Sequence, residues 1–258
     1  MVDNRAIGIF DSGMGGITVL SQLIKELPKE KFLYLADTKN FPYGGKSKEE
    51  ILALTKNNIE ILINRQVKMI VIACGTATSQ ALEEVKPLYS VPIIGIIEPT
   101  VLELKQRKKC KTIGVIATEG TIRSKAWERE IIKQIPQTKV INQACPLLAS
   151  MAEKGEKEER VERTIQEYLK PFHNKEIDTL ILGCTHYPIY TNIIARNLPE
   201  KIKIVDTSYI VAKKVKEILK QEQLETIEPK GNYEIILTKE IEEFKTMAEK
   251  WLKKEETI

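Results

Sequence analysis

The chain has 258 residues, of which 42% are hydrophobic, and its 40 Lys and Arg residues exceed its 36 Asp and Glu residues by a net charge of +4. This small excess, without a basic cluster that carries interleaved aromatic residues, gives no support to a nucleic-acid-binding protein. No apolar run approaches the ~18 residues of a membrane-spanning helix, and the first residues show no secretory signal, so we expect a cytoplasmic protein.

Strand and helix patterns alternate along the first part of the chain. The apolar spacing predicts strands at 7–10, 32–36, 68–73 and 93–97, and helices at about 18–27, 47–65 and 78–86. Ser47 is followed at the third position by Glu50, which predicts a capping box at the start of the second helix.

The same alternation continues to the end of the chain. It predicts strands at 112–116, 138–143, 178–182, 202–205 and 233–237, and helices at about 99–107, 121–134, 160–170, 189–196, 208–220 and 239–254, with a polar, charged segment at 153–163. Such alternation is typical of an α/β fold with mainly parallel sheets and helices on both faces.

Four of the predicted strand regions occur twice, in the same order and with nearly constant displacement. The pairs are 7–13 with 113–120, 32–37 with 139–144, Cys74 with Cys184, and 91–95 with 202–206. We therefore predict two similar α/β domains related by a pseudo-twofold axis.

Domain boundaries follow from this repeat. We predict a first domain of residues 1–98 and 208–258, to which the chain returns through the helix after residue 208, and a second domain of residues 99–207. In open α/β sheets, ligands bind at the carboxyl ends of the strands. Two facing domains would therefore place an active site in the cleft between them.

Cys74 and Cys184 each follow a predicted buried strand and precede a polar turn. Facing domains would bring one thiol to each wall of the cleft, where one could remove a proton from a stereocentre and the other could return a proton to the opposite face. Cys110 lies in a lysine-rich loop before a strand, and Cys145 precedes Pro146 at a strand end, where a packing role is more common than a chemical one. The four cysteines have no CxxC spacing, so we expect free thiols.

His186 lies two residues after Cys184, so both side chains would point the same way if strand geometry persisted. An imidazole near a thiol can lower the pKa of the thiol or exchange a proton with it. A structural cysteine beside a hydrogen-bonded histidine is one alternative. A zinc site is another, but zinc needs three or four protein ligands and no second Cys/His cluster lies nearby.

Two glycine-rich segments follow the first two strands. In Asp11-Ser12-Gly13-Met14-Gly15-Gly16, backbone N–H groups could hold a carboxylate, and Asp11 could be a proton partner of a nearby thiol; a tight turn with a capping Asp is the alternative. The segment is not GxGxxG. Gly45-Lys46-Ser47 resembles the end of a P-loop, but Asn40 stands where its first glycine belongs, so we predict that 42–45 and the Tyr43 hydroxyl line a pocket instead.

Together these motifs resemble the cofactor-independent glutamate racemases of bacterial cell-wall synthesis, from Ile7 to about Asp206. The matching pieces are Gly8 to Gly16, Pro42-Tyr43-Gly44, Cys74 with Thr76, Cys145-Pro146, and Leu182 to Pro188. The resemblance implies interconversion of L- and D-glutamate without a cofactor or a metal, supply of D-glutamate for peptidoglycan, and an assembly compatible with a homodimer.

The resemblance also implies roles for individual residues. Cys74 and Cys184 would exchange the roles of acid and base, Asp11 would assist Cys74, and His186 and Glu153 would assist Cys184. Substrate-contacting positions would be Asp11, Ser12, Tyr43, Gly44, Gly75, Thr76, Thr185 and His186.

One position departs from the pattern, because the family usually reads Cys-Asn-Thr where this chain reads Cys74-Gly75-Thr76. The missing amide removes a substrate contact that a water or the backbone could replace, so we expect an effect on affinity and on the preference for glutamate over aspartate. The alternative functions are an aspartate racemase, a one-thiol hydrolase or decarboxylase, and a redox protein that joins the two thiols. A binding protein without catalysis would explain neither thiol.

Overall fold

The structure, a computed structural model, describes residues 3–107, 110–173 and 175–255. Its strands, in chain order, are β1 (Ile7–Asp11), β2 (Phe32–Ala36), β3 (Met69–Ile72), β4 (Ile93–Gly95), β5 (Thr112–Ala117), β6 (Lys139–Ala144), β7 (Thr179–Leu182), β8 (Lys203–Asp206) and β9 (Tyr233–Leu237).

Helices connect these strands throughout. They are α1 (Ile17–Glu26), α2 (Lys48–Asn64), α3 (Gly75–Val85), α4 (Ile97–Gln106), α5 (Glu119–Ser124), α6 (Ala126–Gln134), α7 (Leu148–Glu153), α8 (Glu158–His173), α9 (Thr191–Arg196), α10 (Thr207–Gln221) and α11 (Phe244–Glu255). None of the helices within the described residues is long and apolar enough to cross a lipid bilayer.

The strands form two sheets, one with the order β4-β3-β1-β2-β9 and one with the order β6-β5-β7-β8. All neighbouring strands are parallel. The order β4-β3-β1-β2 in the first sheet recurs as β8-β7-β5-β6 in the second. The predicted α/β class and the predicted repeat of strands are therefore confirmed.

Apolar side chains cover both faces of the first sheet. In β1, Ile9 belongs to a large buried cluster that extends into the second sheet, whereas its neighbour Phe10 belongs to a separate cluster with Ile59 and Ile72. A parallel strand that is buried on both faces reads as a continuous apolar run, which is why the pattern of β1 was predictable.

The chain after β8 packs against the first sheet and its helices. Helix α10 contacts α1 and α4, α11 contacts α1, and β9 pairs with β2. The domain boundaries at 1–98 with 208–258 and at 99–207 stay a prediction.

Several predicted boundaries were wrong. Helix α3 begins at Gly75 rather than at about Thr78, so Cys74 lies directly at its amino end. The predicted helix 121–134 is interrupted at Lys125, whose φ of 55° is left-handed and separates α5 from α6. Helix α7 was not predicted, because six residues are too few to show helical periodicity. The capping box is confirmed: the Ser47 hydroxyl accepts from the Glu50 N–H, and the Glu50 carboxylate accepts from the Ser47 N–H.

Candidate active site

Cys74 follows β3 and Cys184 follows β7, so each thiol lies at the carboxyl end of a different sheet. Both residues are 5% exposed. Both line one cavity of about 20 Å³, together with Ser12, Phe41, Pro42, Tyr43, Gly44, Gly75, Thr76, Thr118, Ala149, Thr185 and His186. Every predicted site residue except Asp11 and Glu153 therefore lines the same cavity.

On one side of the cavity, three side chains form a continuous chain of contacts. The Cys184 sulfur lies 3.7 Å from Nδ1 of His186, and Nε2 of His186 lies 2.8 Å from Oε1 of Glu153. Strand β7 ends at Leu182, so the turn after it, and not the predicted strand geometry, brings the thiol and the imidazole together.

The imidazole of His186 is buried, which by itself lowers its pKa, but the hydrogen bonds with Cys184 and Glu153 outweigh burial and raise the pKa well above its usual value. The site therefore favours an imidazolium cation. An imidazolium in contact with a thiol stabilises the thiolate form. This arrangement can hold a sulfur base ready for proton abstraction.

On the other side, the Cys74 thiol donates to the Ser12 hydroxyl over 3.6 Å. Burial and, to a lesser extent, the negative charge of Asp11 raise the pKa of Cys74 to about 12, in spite of hydrogen bonds with the Ala77 N–H and Ser12 that lower it. This thiol is therefore held in its protonated form, which suits a proton donor.

Asp11 is fully buried behind the cavity. Its Oδ1 accepts from the Gly13 N–H and its Oδ2 accepts from the Thr185 hydroxyl, both at 3.0 Å. Burial raises the pKa of Asp11 to about 6. These hydrogen bonds do not include the Cys74 thiol, so any assistance to Cys74 would act through charge.

Hydrogen bonds join the loops of the two sheets around the thiols. Oε1 of Glu153 accepts from the Met14 N–H at 2.8 Å, and the Thr18 hydroxyl donates to the Thr185 carbonyl at 3.0 Å. The Thr76 and Thr118 hydroxyls lie 2.8 Å apart. Together with the hydrogen bond between Asp11 and Thr185, these contacts hold together the loops of the two sheets, which form the two walls of the cavity.

Tyr43 lines the cavity, and its hydroxyl is hydrogen-bonded to two other side chains. It donates to Oδ2 of Asp37 at 2.6 Å and accepts from the Asn58 amide at 3.1 Å. Asp37 also accepts from Asn40 and from the Thr238 hydroxyl. The buried carboxylate of Asp37 thus anchors the loop that contributes Pro42 and Gly44.

The sequence interpretation missed Asp37, Asn58 and Thr118. Each of them has a sequence feature that could have indicated its place near the site. Asp37 directly follows β2, Asn58 interrupts the apolar face of α2, and Thr118 corresponds in the repeat to Ser12.

The other two cysteines have different surroundings. Cys145 is buried, which raises the pKa of its thiol, and its carbonyl accepts from the Tyr187 hydroxyl. Cys110 lies near the Thr179 hydroxyl. All four cysteines are free, as predicted. In the part of the chain that the structure describes, no group of three or more His, Cys, Asp or Glu side chains is arranged to hold a metal ion.

The sequence profile of the Asp/Glu/Hydantoin racemase family matches residues 20–215. A glutamate racemase of Lactococcus lactis subsp. cremoris is 38% identical over 253 residues, which cover 97% of this chain and 93% of that protein. Among solved structures, glutamate racemase isoform RacE1 from Bacillus anthracis has a TM-score of 0.94 at 34% identity, covering 97% of this chain and 95% of that chain.

Glutamate racemase from Francisella tularensis subsp. tularensis, solved in complex with D-glutamate, has a TM-score of 0.91 at 36% identity, covering 97% of this chain and 94% of that chain. Identity at this level over nearly the whole length, together with the matched profile and the common fold, shows that this chain belongs to the Asp/Glu/Hydantoin racemase family, among its glutamate racemases.

Proposed function

We propose that this chain interconverts L- and D-glutamate by a two-base mechanism in which Cys74 and Cys184 act on opposite faces of the α-carbon. The observation that carries the proposal is that two buried thiols, delivered by two different sheets, line one small cavity. Relatives that resemble this chain over nearly their whole length are glutamate racemases, and one of them was solved with D-glutamate bound.

In the proposed reaction, a thiolate takes the α-hydrogen as a proton. The electron pair of the broken C–H bond stays on the α-carbon and is delocalised into the carboxylate. The opposite thiol then gives its proton to the other face, a new C–H bond forms, and that sulfur becomes the thiolate. The product has inverted configuration, and the two cysteines have exchanged protonation states, which prepares the reverse reaction.

The groups around each sulfur would stabilise the thiolate that removes the proton. The imidazolium of His186, held by Glu153, stabilises a thiolate at Cys184. Cys74 lies at the amino end of α3, where the helix N–H groups favour negative charge, and Ser12 lies within hydrogen-bonding distance. General acid–base groups of this kind each contribute about 10²–10⁴-fold to a rate.

The glycine-rich turn after β1 and the loop 42–45 would bind the carboxylates of the substrate. Ser12, Gly44, Gly75, Thr76 and Thr185 line the cavity, and their backbone N–H or hydroxyl groups would be the donors. Binding of the α-carboxylate by such donors would also stabilise the carbanion, because negative charge develops there.

We further propose that the product serves the cytoplasmic supply of D-glutamate for peptidoglycan, as the family resemblance implies.

Racemisation followed by circular dichroism tests this proposal. L-glutamate, D-glutamate and both enantiomers of aspartate would be offered to the wild type and to the Cys74→Ala and Cys184→Ala variants. We expect the glutamate signal to decay to zero from either enantiomer, and either substitution to abolish the decay. If only aspartate is turned over, then aspartate and not glutamate is the substrate. Full activity in either cysteine variant would contradict the two-base mechanism.

A further inference from the structure

Two aromatic side chains lie against the imidazole of His186. The centroid of the Phe41 ring is 5.8 Å from that of the imidazole, with 40° between the ring planes. The centroid of the Trp251 ring is 6.1 Å from it, with the planes nearly perpendicular at 88°. Aromatic rings in direct contact have centroids about 4.5–7 Å apart. The imidazole therefore contacts two aromatic rings in addition to its two polar partners.

The two rings come from different parts of the chain. Phe41 belongs to the loop between β2 and α2 and lines the cavity. Trp251 lies in α11, is buried, and stands outside the set of residues that line the cavity. Helix α11 contacts α1, which begins directly after the glycine-rich turn at 11–16. The indole therefore reaches His186 from outside the cavity.

The orientation of the imidazole decides whether both of its nitrogen atoms have a partner. Nδ1 lies 3.7 Å from the Cys184 sulfur, and Nε2 lies 2.8 Å from Oε1 of Glu153. A half turn about χ2 exchanges Nδ1 with Cδ2 and Nε2 with Cε1, so neither nitrogen would then face its partner. The χ2 angle of histidine has broad, roughly two-fold preferences. Rings packed against the imidazole restrict this rotation.

The same two rings limit the access of water to the imidazole. The His186 side chain is 2% exposed, whereas the Glu153 side chain is 14% exposed, so solvent reaches the carboxylate more easily than the ring. A hydrogen bond is electrostatically stronger in surroundings of low dielectric constant than in water. Loss of the indole would leave space beside the imidazole in which water could compete for Nδ1 and Nε2.

We propose that Trp251 is a positioning residue that holds the His186 imidazole in the orientation in which it contacts both Cys184 and Glu153. This inference rests on the proposed function, because the imidazole matters to the reaction only if Cys184 acts on the α-proton. Phe41 shares the contact, but its replacement would also change the cavity itself. Trp251 lies outside the cavity lining, so its replacement tests the imidazole separately.

The alternative is that Trp251 only anchors α11 to the core. Its side chain belongs to the large buried apolar cluster, as does that of Phe244 in the same helix. An α-helix rises 1.5 Å per residue, so the two side chains are attached about 10 Å apart along α11. An anchoring role predicts the same effects on His186 from loss of either ring. A positioning role predicts an effect from Trp251 alone.

NMR of the histidine rings measures the imidazole without any assay of activity. The chain has two histidines, His173 and His186, so a His173→Gln background with ¹⁵N-labelled histidine leaves one set of ring signals. In this background we would compare the parent protein with Trp251→Leu, Trp251→Phe and the matched control Phe244→Leu. We expect the ring N–H protons of His186 to exchange with water severalfold faster in Trp251→Leu, and to stay protected in the other three proteins.

Steady-state kinetics of glutamate racemisation gives the second readout. We expect kcat to fall about 10-fold in Trp251→Leu, as for partners that orient a functional histidine, with a smaller change in KM. Trp251→Phe restores an aromatic ring and should recover most of kcat, and Phe244→Leu should keep it. Circular dichroism establishes that the variants are folded. Should Trp251→Leu not fold, Trp251→Met takes its place with the same expectations, because methionine fills irregular gaps.

The possible outcomes separate the positioning role from the proposed function. Protected ring protons in folded Trp251→Leu would overturn the positioning role, and so would equal effects of Trp251→Leu and Phe244→Leu. Faster exchange with unchanged kcat would show that the reaction does not need the orientation of His186. An inactive wild type whose His186 protons are exposed by Trp251→Leu would overturn the proposed function and leave the contact of the indole with the imidazole supported.

Discussion

The thiols of Cys74 and Cys184 differ in the side chains that contact them. Cys184 contacts an imidazole that a carboxylate holds, whereas Cys74 contacts a serine hydroxyl and lies near the buried Asp11. In the proposed mechanism, the imidazole beside Cys184 would support the sulfur that acts as a base. The raised pKa of Cys74 suits the sulfur that acts as an acid.

Glu153→Gln tests the contribution of the carboxylate at the Cys184 side. The variant keeps the shape of the side chain but removes the charge that helps to raise the pKa of His186. We expect kcat to fall about 10-fold, as for other partners that orient a functional histidine. Because the proposed mechanism uses the imidazolium, we expect activity to be lost as pH rises through the pKa of His186, and this loss to begin at lower pH in the variant.

The measurement is a pH profile of kcat/KM in both directions. L- and D-glutamate have equal free energies, so kcat/KM must fall equally for both, while kcat and KM change separately. Glu156→Gln is the control, because Glu156 pairs with Arg160 and does not line the cavity. An unshifted profile for Glu153→Gln would refute the role of the carboxylate.

Asp11→Asn tests how much the buried Asp11 carboxylate lowers the free energy of unfolding at neutral pH. Burial raises the pKa of Asp11 from 3.8 to about 6. A raised pKa means that Asp11 contributes stability below about pH 4 and that this contribution is lost as pH rises through 6. The difference corresponds to about 3 kcal/mol. We expect the variant to be about 1–3 kcal/mol more stable than wild type at pH 7.5 and equally stable below pH 4.

Urea unfolding at several pH values between 3.5 and 7.5, as an approximate range, measures this difference. Asp3→Asn is a control of opposite sign, because the hydrogen bond from Arg5 lowers the pKa of Asp3. Parallel stability profiles for wild type and Asp11→Asn would show that the carboxyl group is not perturbed.

At the scale of elements, the loop between β2 and α2 depends on one buried polar cluster. Tyr43 joins the loop to Asp37, and Asn58 joins α2 to both. A buried acceptor that loses its donor costs about 1–3 kcal/mol. The position of the cavity-lining residues Pro42 and Gly44 therefore depends on groups outside the cavity.

Tyr43→Phe removes the donor to Asp37 and leaves the ring in place. We expect the free energy of unfolding to fall by about 1–3 kcal/mol and KM for glutamate to rise more than kcat falls. Thermal unfolding and steady-state kinetics measure the two effects. Tyr233→Phe is the matched control, since Tyr233 in β9 is 46% exposed and does not line the cavity. The same KM in both variants would show that the Asp37 cluster does not position the loop.

Elements with long apolar patterns were predictable, and short ones were not. Strands such as β1 and β3 are buried on both faces, so their sequences are continuous apolar runs. The break at Lys125 and the short helix α7 depend on a left-handed residue and on packing, and neither leaves a periodic signal. For the same reason, the exact start of α3 at Gly75 was missed.

Across the two sheets, the sequence repeat predicted that Cys74 and Cys184 would lie at one site, but it did not predict the contacts that join the two walls. Strand ends placed Cys74 and Cys184 at ligand-binding edges, and the structure brings both to one cavity. The contacts between the two walls, such as Met14 with Glu153 or Thr18 with Thr185, depend on the relative placement of the two sheets. No local pattern encodes that placement, so these contacts could not be predicted.

The walls are closed around a cavity of about 20 Å³, which is room for about one water molecule. An amino acid is several times larger. If glutamate is the substrate, we expect its entry to require the two walls to move apart, which would break contacts between the sheets such as the one between Asp11 and Thr185. Closure of this kind excludes water from the reacting groups.

If two thiols act on opposite faces of one α-carbon, the position of deuterium in the product reveals it. Wild-type protein would convert L-glutamate in D₂O, and mass spectrometry would follow the α-position of both enantiomers during the first few per cent of reaction. We predict that the D-glutamate formed carries deuterium while the remaining L-glutamate keeps its hydrogen, because one sulfur removes the proton and the other supplies a solvent-derived one. D-glutamate that retains the original hydrogen would show a single base and refute the two-base mechanism.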